Sequence, residues 1–270
     1  MTAGPQADLD VRTHIAPLHP RTLPPGKLPI HLPSGAVDIW LGKLADEDLA
    51  NADPLETWEA FLAGDEQERA GRFHFAPDRR RYVYGRGLLR WLLASYLETD
   101  PARIQFTYSA EGKPELAPAS GSKQLHFNLS HSGTRLLLAF AWERRVGVDV
   151  EQVRSDIELE QIAGRFFSRG EQDALRSLDE ASRTPAFFRC WTRKEAYVKA
   201  LGKGLALPLS QFDVSLLPDQ PVALLATRPD PLEAENWALH DLDFGAEYSA
   251  AVAVERSSSA APGHSARNPR

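Results

Sequence analysis

The order of predicted elements repeats along this chain, and this repeat limits the possible folds more than any single motif does. In the first part, an apolar strand pattern is followed by helical patterns and then by a meander of short strands. The same order returns after Val146, with helices predicted over 157–164, 170–178 and 185–201 and strands over 212–217, 222–227, 237–244 and 247–254. A repeated order of this kind predicts an α+β fold with two similar halves of about 100 residues each. We expect a ligand cleft where the halves meet.

These patterns divide the chain into four parts. We predict a disordered, proline-rich leader over 1–35, an N-terminal α+β half over 36–145, a C-terminal α+β half over 146–256 and a disordered tail over 257–270. The leader shows prolines among polar residues and neither a helical nor a strand period, so folding should start near Val37.

Three local features of the first half carry specific expectations. Asp65 is a candidate N-cap for a helix over 65–75, and Pro77 should open a longer helix that ends near Leu97. The short segment 143–145 is expected to turn one strand back onto the next as a β-hairpin.

Composition excludes several classes of protein. The single cysteine, Cys190, excludes an internal disulfide framework and a cysteine-based zinc cluster. No apolar run approaches the roughly 20 residues of a membrane span, and the N-terminus lacks the apolar core of a signal peptide. The net charge of −6 argues against general nucleic-acid binding, although arginines are concentrated between 69 and 90. We expect a cytoplasmic protein that binds neither membrane nor nucleic acid.

Three carboxylates form the first candidate site. Apolar and acidic residues alternate over 145–152, so a strand places Asp149 and Glu151 on one face. Glu195 lies on a predicted helix, followed one turn later by Lys199, although this pair alone could be an ordinary surface ion pair. Three oxygen ligands without sulfur suit Mg²⁺ or Mn²⁺, and Mg²⁺ commonly takes phosphate oxygens as further ligands. The pattern therefore predicts a phosphorylated substrate.

Basic residues supply candidate phosphate contacts. The arginines between 69 and 90 have planar forks that match phosphate geometry, with a solvated basic face as the alternative. The turn that contains Lys113 and Pro114 places a lysine on a narrow bend between strands. Ser130 and His131 lie at the exit of another predicted strand, where they could grip a phosphate.

These motifs together resemble the 4'-phosphopantetheinyl transferases of the surfactin-synthetase-activating (Sfp-like) type. In chain order they are 113–114, 127–133, 147–151, 166–171 and 191–199. The most specific part is Gly-Val-Asp-Val-Glu followed, about 40 residues later, by Trp-x-x-Lys-Glu-Ala-x-x-Lys. The resemblance covers about residues 36–255.

The resemblance implies a pseudo-dimer of two α+β halves that binds coenzyme A and Mg²⁺ in the cleft between them. It implies transfer of the phosphopantetheine arm to a serine of an apo carrier protein (acyl, polyketide or peptidyl), with release of adenosine 3',5'-bisphosphate. Asp149, Glu151 and Glu195 would be the metal ligands, and Glu195 and Lys199 the catalytic residues. The residues implied in coenzyme A binding are Arg69, Arg81, Lys113, Pro114, Ser130, His131, Asp149 and Lys199.

The resemblance leaves some roles open. Glu66 stands where some relatives place a lysine, which would shift the grip on the nucleotide toward Arg69 and its neighbours. The general base is Glu195, a metal-bound water or Glu171. The expected docking surfaces for an acidic carrier are the basic helix near Arg79 and exposed apolar residues at 166–167.

Two other classes remain compatible with the residues alone. A metal-dependent phosphohydrolase could use the same three acids with water as its nucleophile. A non-catalytic module that binds a carrier protein or a nucleotide could keep the fold without the metal site. Because an internally duplicated cleft needs no second subunit, we expect a monomer.

Overall fold

Two β-sheets stacked on each other, with helices on their outer faces, form the body of this mixed α+β protein. The computed structural model describes residues 10–18, 29–44, 55–117, 123–228 and 230–257. The sequence also predicts an acidic, turn-rich connection over 45–54, which lies outside these residues, as do the predicted tail beyond Ser257 and the leader residues 1–9 and 19–28. Among the described helices, none has the length and apolar character needed to cross a membrane.

The predicted order of elements is confirmed along both parts of the chain. The first part contributes strands β1 (Val11–Leu18) and β2 (Val37–Lys43), helices α1 (Leu55–Glu59), α2 (Gly64–Gly71) and α3 (Ala76–Tyr96), and strands β3 (Phe106–Tyr108), β4 (Pro114–Leu116), β5 (Leu125–Ser132) and β6 (Arg135–Trp142). The second part contributes β7 (Val146–Gln152), α4 (Leu159–Phe166), α5 (Arg169–Arg176), α6 (Glu180–Leu201), β8 (Phe212–Val214), β9 (Leu224–Thr227), β10 (Trp237–Asp241) and β11 (Tyr248–Glu255).

The two main sheets differ in size and in strand direction. Within the described residues, the first has the order β1-β2-β6-β5, with β1 parallel to β2 and the other pairs antiparallel. The second has the order β10-β11-β7 and is antiparallel throughout. Two small ladders, β3-β4 and β8-β9, lie beside them.

Apolar side chains join these layers in the order helix, sheet, sheet, helix. One face of the first sheet packs Phe140 against Leu92 of α3. Its other face meets the second sheet, where Ile39 and Val148 belong to one buried cluster. The far face of the second sheet packs against α6, which contributes Ala196 to that core. Because α6 lies directly on β11 and β7, side chains at its exposed margin stand close to the edge strand β7.

The longest helix, α6, has clear signals at both ends. The side chain of Asp179 accepts a hydrogen bond of 2.9 Å from the Ser182 N–H, so the helix begins ahead of the expected start at Pro185. It ends at Gly202, whose φ of +68° is the left-handed conformation that glycine adopts without steric cost.

The predicted N-cap of α2 was wrong. Ala63 occupies the N-cap position, and the Glu66 carboxylate reaches back to accept a 2.9 Å hydrogen bond from the Ala63 N–H. The acid two residues after Ala63, Asp65, lies inside the first turn, where the helix dipole favours it.

The predicted hairpin between the strands flanking 143–145 was also wrong, because β7 pairs with β11 in the other sheet. The connection is anchored separately on each side. Arg144 donates to the carbonyls of Gly35 and Ala36 beside the first sheet. Arg145 makes a two-pronged pair with Glu255 at the end of β11. These contacts carry the chain from one sheet to the next instead of reversing it.

The prediction of disorder was wrong for residues 11–18 of the leader. They form β1 at the edge of the first sheet. Arg12 Nε lies 3.4 Å from Oδ1 of the fully buried Asp38, and Arg12 Nη1 donates to the His31 carbonyl. Leu32 is buried in the core beneath this region. The prolines hid this strand, because Pro17 lies inside it and others stand close to both of its ends.

Candidate active site

Strand β5 presents alternate polar side chains to β7, although the two strands belong to different sheets. Asn128 Oδ1 accepts a 2.9 Å hydrogen bond from the Val148 N–H. Two residues on, Ser130 Oγ donates to Asp149 Oδ1 at 2.8 Å. Because side chains at every second position share one face of a strand, the motif Asn-x-Ser-x-Ser joins the sheets through side chains and fixes the acidic strand.

The last serine of that motif holds the second acid. Ser132 Oγ donates to Glu151 Oε2 at 2.8 Å and accepts from the Gln152 N–H at 3.1 Å. Sequence reasoning assigned no role to Asn128 or Ser132. The available signal was the recurrence of Asn128, Ser130 and Ser132 at every second position of one strand.

Asp149 is the centre of the site. It is 2% exposed, and its Oδ1 accepts from both Ser130 Oγ and Lys199 Nζ, the latter at 2.6 Å. Its Oδ2 is buried and has no hydrogen-bond partner among the described residues. Burial raises the pKa of Asp149, while the charge of Lys199 opposes that rise.

Ser130 lies within this network and is buried. Its Oγ donates to Asp149 and accepts a 2.9 Å hydrogen bond from Lys199 Nζ. The hydroxyl therefore orients the lysine and the carboxylate toward each other.

Glu195 lies one helical turn before Lys199 on α6 and is half-buried. Burial raises its pKa, the negative charges of Asp149 and Glu151 raise it further, and Lys199 opposes them. Burial likewise raises the pKa of Glu151, and Asp149 adds to this effect. The three predicted carboxylates are therefore close enough to repel one another, a situation that a cation between them relieves.

The residues present suit an open Mg²⁺ site better than a closed cage. Within the described part of the chain, no group of three or more histidine, cysteine, aspartate or glutamate side chains is arranged to hold a metal ion by itself. Mg²⁺ usually keeps several waters and takes one or two carboxylates together with substrate phosphates. The buried, unpartnered Oδ2 of Asp149 is a hard oxygen of the kind that such an ion binds.

A cavity of about 650 Å³ lies beside this network. Lys113 lines it from the turn between β3 and β4, and Pro114 from the start of β4. Trp191, Glu195 and Lys199 line it from α6. Its wall also includes apolar residues from other elements: Leu129, Phe166, Val198, Leu207, Pro208 and Leu209. The space could take an extended ligand that is polar at one end and apolar along its length.

A second cavity of about 310 Å³ adjoins the first, and Leu129 lines both. The predicted phosphate contacts Arg69, Arg81 and His131 line it together with Arg86. Desolvation lowers the pKa of His131, as do the nearby charges of Arg81 and Lys199. Seven of the predicted site residues thus line one or the other of two neighbouring cavities, whereas Ser130, Asp149 and Glu151 line neither of them.

The residue that departs from the family pattern, Glu66, organises part of this basic wall. It is 2% exposed and accepts hydrogen bonds from Arg86 Nε and Arg90 Nε, each at 2.5 Å. Arg86 also donates to the Tyr108 hydroxyl. Glu66 therefore fixes Arg86 and Arg90 of α3, and both of its carboxylate oxygens are occupied by these arginines.

The surroundings of Glu171 exclude it as the general base. It is 3% exposed, and its Oε2 lies 2.8 Å from the fully buried Lys194 Nζ. Its Oε1 accepts from the Val214 N–H, and Oε2 also accepts from the Ser168 N–H. A carboxylate with all of these partners holds α5 and α6 together and has no path to a substrate.

The predicted apolar docking surface at 166–167 was wrong in part. Phe167 is 2% exposed and stacks on Phe187 in the core. Phe166 is half-buried, packs edge-on against Trp191 and lines the larger cavity. Only Phe166 of this pair can meet a partner at the cavity mouth.

Family models match both parts of the chain. A model described as the 4'-phosphopantetheinyl transferase superfamily matches residues 145–253. A second, described as 4'-phosphopantetheinyl transferase, N-terminal, matches residues 51–143. Every residue assigned to the two cavities and the acidic strand falls within one of these matches.

Characterised relatives carry the same activity in their names. The 4'-phosphopantetheinyl transferase HetI of Nostoc sp. is 42% identical, over 74% of this chain and 81% of the relative. The 4'-phosphopantetheinyl transferase Sfp of Bacillus subtilis is 34% identical, over 63% of this chain and 73% of the relative. The L-aminoadipate-semialdehyde dehydrogenase-phosphopantetheinyl transferase of Homo sapiens is 33% identical, over 71% of this chain and 66% of the relative.

Proposed function

The chain belongs to the 4'-phosphopantetheinyl transferase superfamily and moves a phosphopantetheine arm onto carrier proteins, and from this premise we propose that coenzyme A is the donor, bound across the two adjoining cavities. One observation carries the proposal. Asp149 offers a buried oxygen without a partner beside the ammonium of Lys199, and Lys199 lines the larger cavity.

The nucleotide end of coenzyme A fits the smaller cavity. Arg69 and Arg81 offer guanidinium groups for its phosphates, and His131 lies on the same wall. The pantetheine arm is long and uncharged, so the larger, mainly apolar cavity next to Trp191 suits it.

Asp149, Glu151 and Glu195 are the residues that would hold Mg²⁺. When bound, the ion would neutralise negative charge on the diphosphate of coenzyme A and orient it. The oxygen donors and the mutual repulsion of the carboxylates support this assignment. Lys199 Nζ, already beside Asp149 Oδ1, can turn one of its protons toward a phosphate oxygen and stabilise the departing adenosine 3',5'-bisphosphate.

The bond changes are those of phosphoryl transfer. The hydroxyl oxygen of a carrier serine attacks the β-phosphorus, and the bond from that phosphorus to adenosine 3',5'-bisphosphate breaks. Glu195 can accept the serine proton at a carboxylate oxygen that is not engaged with the metal. Its half-buried position on the cavity wall gives it access that Glu171 lacks.

The two-halves architecture belongs to the same proposal. Each part of the chain has a long helix on the outer face of its own sheet, and the sheets pack face to face. The two family matches meet between residues 143 and 145, close to the predicted boundary. We place the cleft of this pseudo-dimer where Lys113 and Pro114 of the first half face Lys199 of the second.

Carrier docking would use Phe166 at the mouth of the larger cavity and the basic start of α3. Some of this basic charge is already paired, since Arg79 contacts Glu59 and Arg81 contacts Asp78. If the remaining charge steers an acidic carrier, raised salt should weaken binding. An affinity that stays unchanged across a salt titration would remove charge steering from the proposal.

The testing experiment measures the intact mass of apo carrier proteins after incubation with the enzyme and coenzyme A, with added Mg²⁺ or with a chelator. We expect a gain of about 340 daltons, the chemical mass of the phosphopantetheine arm, only with the metal present. Carrier modification that is indifferent to the chelator would defeat the metal assignment. Free phosphopantetheine without any modified carrier would instead mark a hydrolase.

A further inference from the structure

The turn between β3 and β4 reaches across the cleft and closes the C-terminal end of α6. Lys113 Nζ donates to the Lys199 carbonyl at 2.6 Å and lies 3.4 Å from the Ala200 carbonyl. The Lys199 carbonyl also accepts a 3.2 Å hydrogen bond from the Gly202 N–H, so Lys113 is its second donor, and a cation at the last carbonyls complements the helix dipole. A residue from the first half thus supplies a cap for the helix that carries Glu195 and Lys199.

Two glycines with left-handed backbone conformations lie at this contact. Gly202 has φ +68°, and a Cβ at this position would lie 3.5 Å from Lys113 Cδ. Gly204 has φ +48°, and a Cβ there would lie 3.1 Å from Cβ of Glu111 in the same turn. The aliphatic stem of Lys113 therefore lies over the end of the helix, with its nitrogen directed at the carbonyls.

The surroundings of Lys113 differ from those of a free phosphate contact. Its pKa is lowered to about 8, mainly by burial; the charge of Glu115 opposes this lowering, and the charge of Arg145 adds to it. Its nitrogen is already committed to main-chain oxygens. The contact falls on the carbonyl of Lys199 itself, so any movement of the cap moves the backbone from which the Lys199 side chain extends.

We propose that Lys113 is a positioning residue, which fixes the last turn of α6 and thereby holds Lys199 against Asp149 in the geometry that transfer requires. This inference rests on the role proposed above for Lys199. It differs from the role implied by the family resemblance, in which Lys113 holds coenzyme A. The two roles predict different kinetic changes when the ammonium is removed.

The test compares Lys113→Met, which keeps the stem over Gly202 and removes the ammonium, with the wild-type enzyme. We expect kcat to fall on the order of 10- to 100-fold, because a displacement of about 1 Å in a catalytic group costs up to about 100-fold. The Kd for adenosine 3',5'-bisphosphate should change by less than about twofold, since no nucleotide contact is removed. Lys203→Met is the matched control, because this exposed lysine lies in the same turn and makes no cap contact.

Three outcomes would overturn the positioning role. A raised Kd with unchanged kcat would show that Lys113 holds the nucleotide. A loss of thermal stability with normal kinetics would show a merely structural cap. Should Lys113→Met fail to fold, Lys113→Arg keeps a charged donor, and it should retain most of kcat. A Lys113→Arg protein with an intact Kd and a kcat as low as that of Lys199→Met would also contradict the proposal.

Lys199→Met separates this inference from the function on which it depends. If Lys199→Met keeps the wild-type kcat, the role proposed for Lys199 fails. If Lys199→Met is impaired while Lys113→Met is not, only the positioning role fails.

Discussion

Lys199 Nζ lies 2.6 Å from Asp149 Oδ1, while the other oxygen of the same carboxylate, Oδ2, is buried without a partner. The two residues come from different elements, the edge strand β7 and the helix α6. A buried acceptor without a partner costs roughly 1–3 kcal/mol, more when it is charged, so the arrangement is expected to serve a ligand. One carboxylate can in this way orient the lysine and bind a cation at once.

Asp149→Ala and Glu195→Gln should each abolish transfer. The first removes the oxygen with no partner and the anchor of Lys199, and the second removes a charge from the acid group while keeping its shape. We expect kcat/KM to fall by at least about 100-fold in each, as when one charge-stabilising group is removed from an active site. The measurement is carrier modification followed by intact mass. Near-normal turnover by either folded variant would defeat the three-carboxylate assignment.

Ser132→Ala should weaken metal binding more than it weakens the chemical step. Ser132 Oγ donates to Glu151, and loss of a hydrogen bond that orients a metal ligand typically costs about 10- to 100-fold in metal affinity. The Mg²⁺ concentration for half-maximal activity should rise by this factor, and excess Mg²⁺ should restore most of kcat. Ser177→Ala, at an exposed serine that bonds only the Ala174 carbonyl, is the control. An unchanged Mg²⁺ requirement would show that Ser132 does not orient a ligand.

The sequence predicted local order well because local rules decided it. The alternation over 146–152 and the helical spacing of Glu195 and Lys199 placed three acids and a lysine correctly on their elements. It failed where a distant partner decided the outcome. No local rule indicates that Arg145 pairs with Glu255, and that pair helps carry β7 into the second sheet.

In the candidate site too, local patterns identified some residues, and contacts between distant elements determined the others. Asp149 was recognisable as a candidate because it shares a strand face with Glu151, and two neighbouring carboxylates repel each other unless a cation lies between them; Glu195 became a candidate only together with this pair. Asn128 and Ser132 were not assigned roles, because polar residues are common on strands. Their roles follow only from their hydrogen bonds to Val148 and Glu151 of the neighbouring strand β7. The burial of Glu171 could not be predicted for a related reason: its partner, Lys194, lies on a different helix.

Arg12→Met should destabilise the protein although it lies far along the chain from the proposed site. Arg12 is one third exposed, but its partner Asp38 is fully buried at the base of the first sheet. Loss of the cation leaves that carboxylate with less compensation, although the Tyr96 hydroxyl still donates to it at 2.7 Å. We expect a loss of about 1–2 kcal/mol in the free energy of unfolding in urea. Lys43→Met, at an exposed position at the end of β2, is the control. If Arg12→Met lowers the free energy of unfolding no more than Lys43→Met does, the pair between Arg12 and Asp38 does not contribute to stability.

Lys113 should make the stability of the protein depend on pH in the alkaline range. Burial lowers its folded pKa to about 8, below the ordinary lysine value of 10.5. Below about pH 8 both states carry the proton. Between about pH 8 and 10.5 the unfolded chain binds a proton that the folded protein has released, so the free energy of unfolding rises with pH.

Lys113→Met removes this group, and Lys113→Arg keeps its charge throughout the range, so neither variant should show the rise. The measurement is urea unfolding of all three proteins at several pH values from neutral to about 10. The difference between wild type and Lys113→Met should grow in favour of wild type as the pH increases. A constant difference would contradict the burial of this ammonium, and with it the close contact between the β3–β4 turn and the end of α6 on which the cap depends.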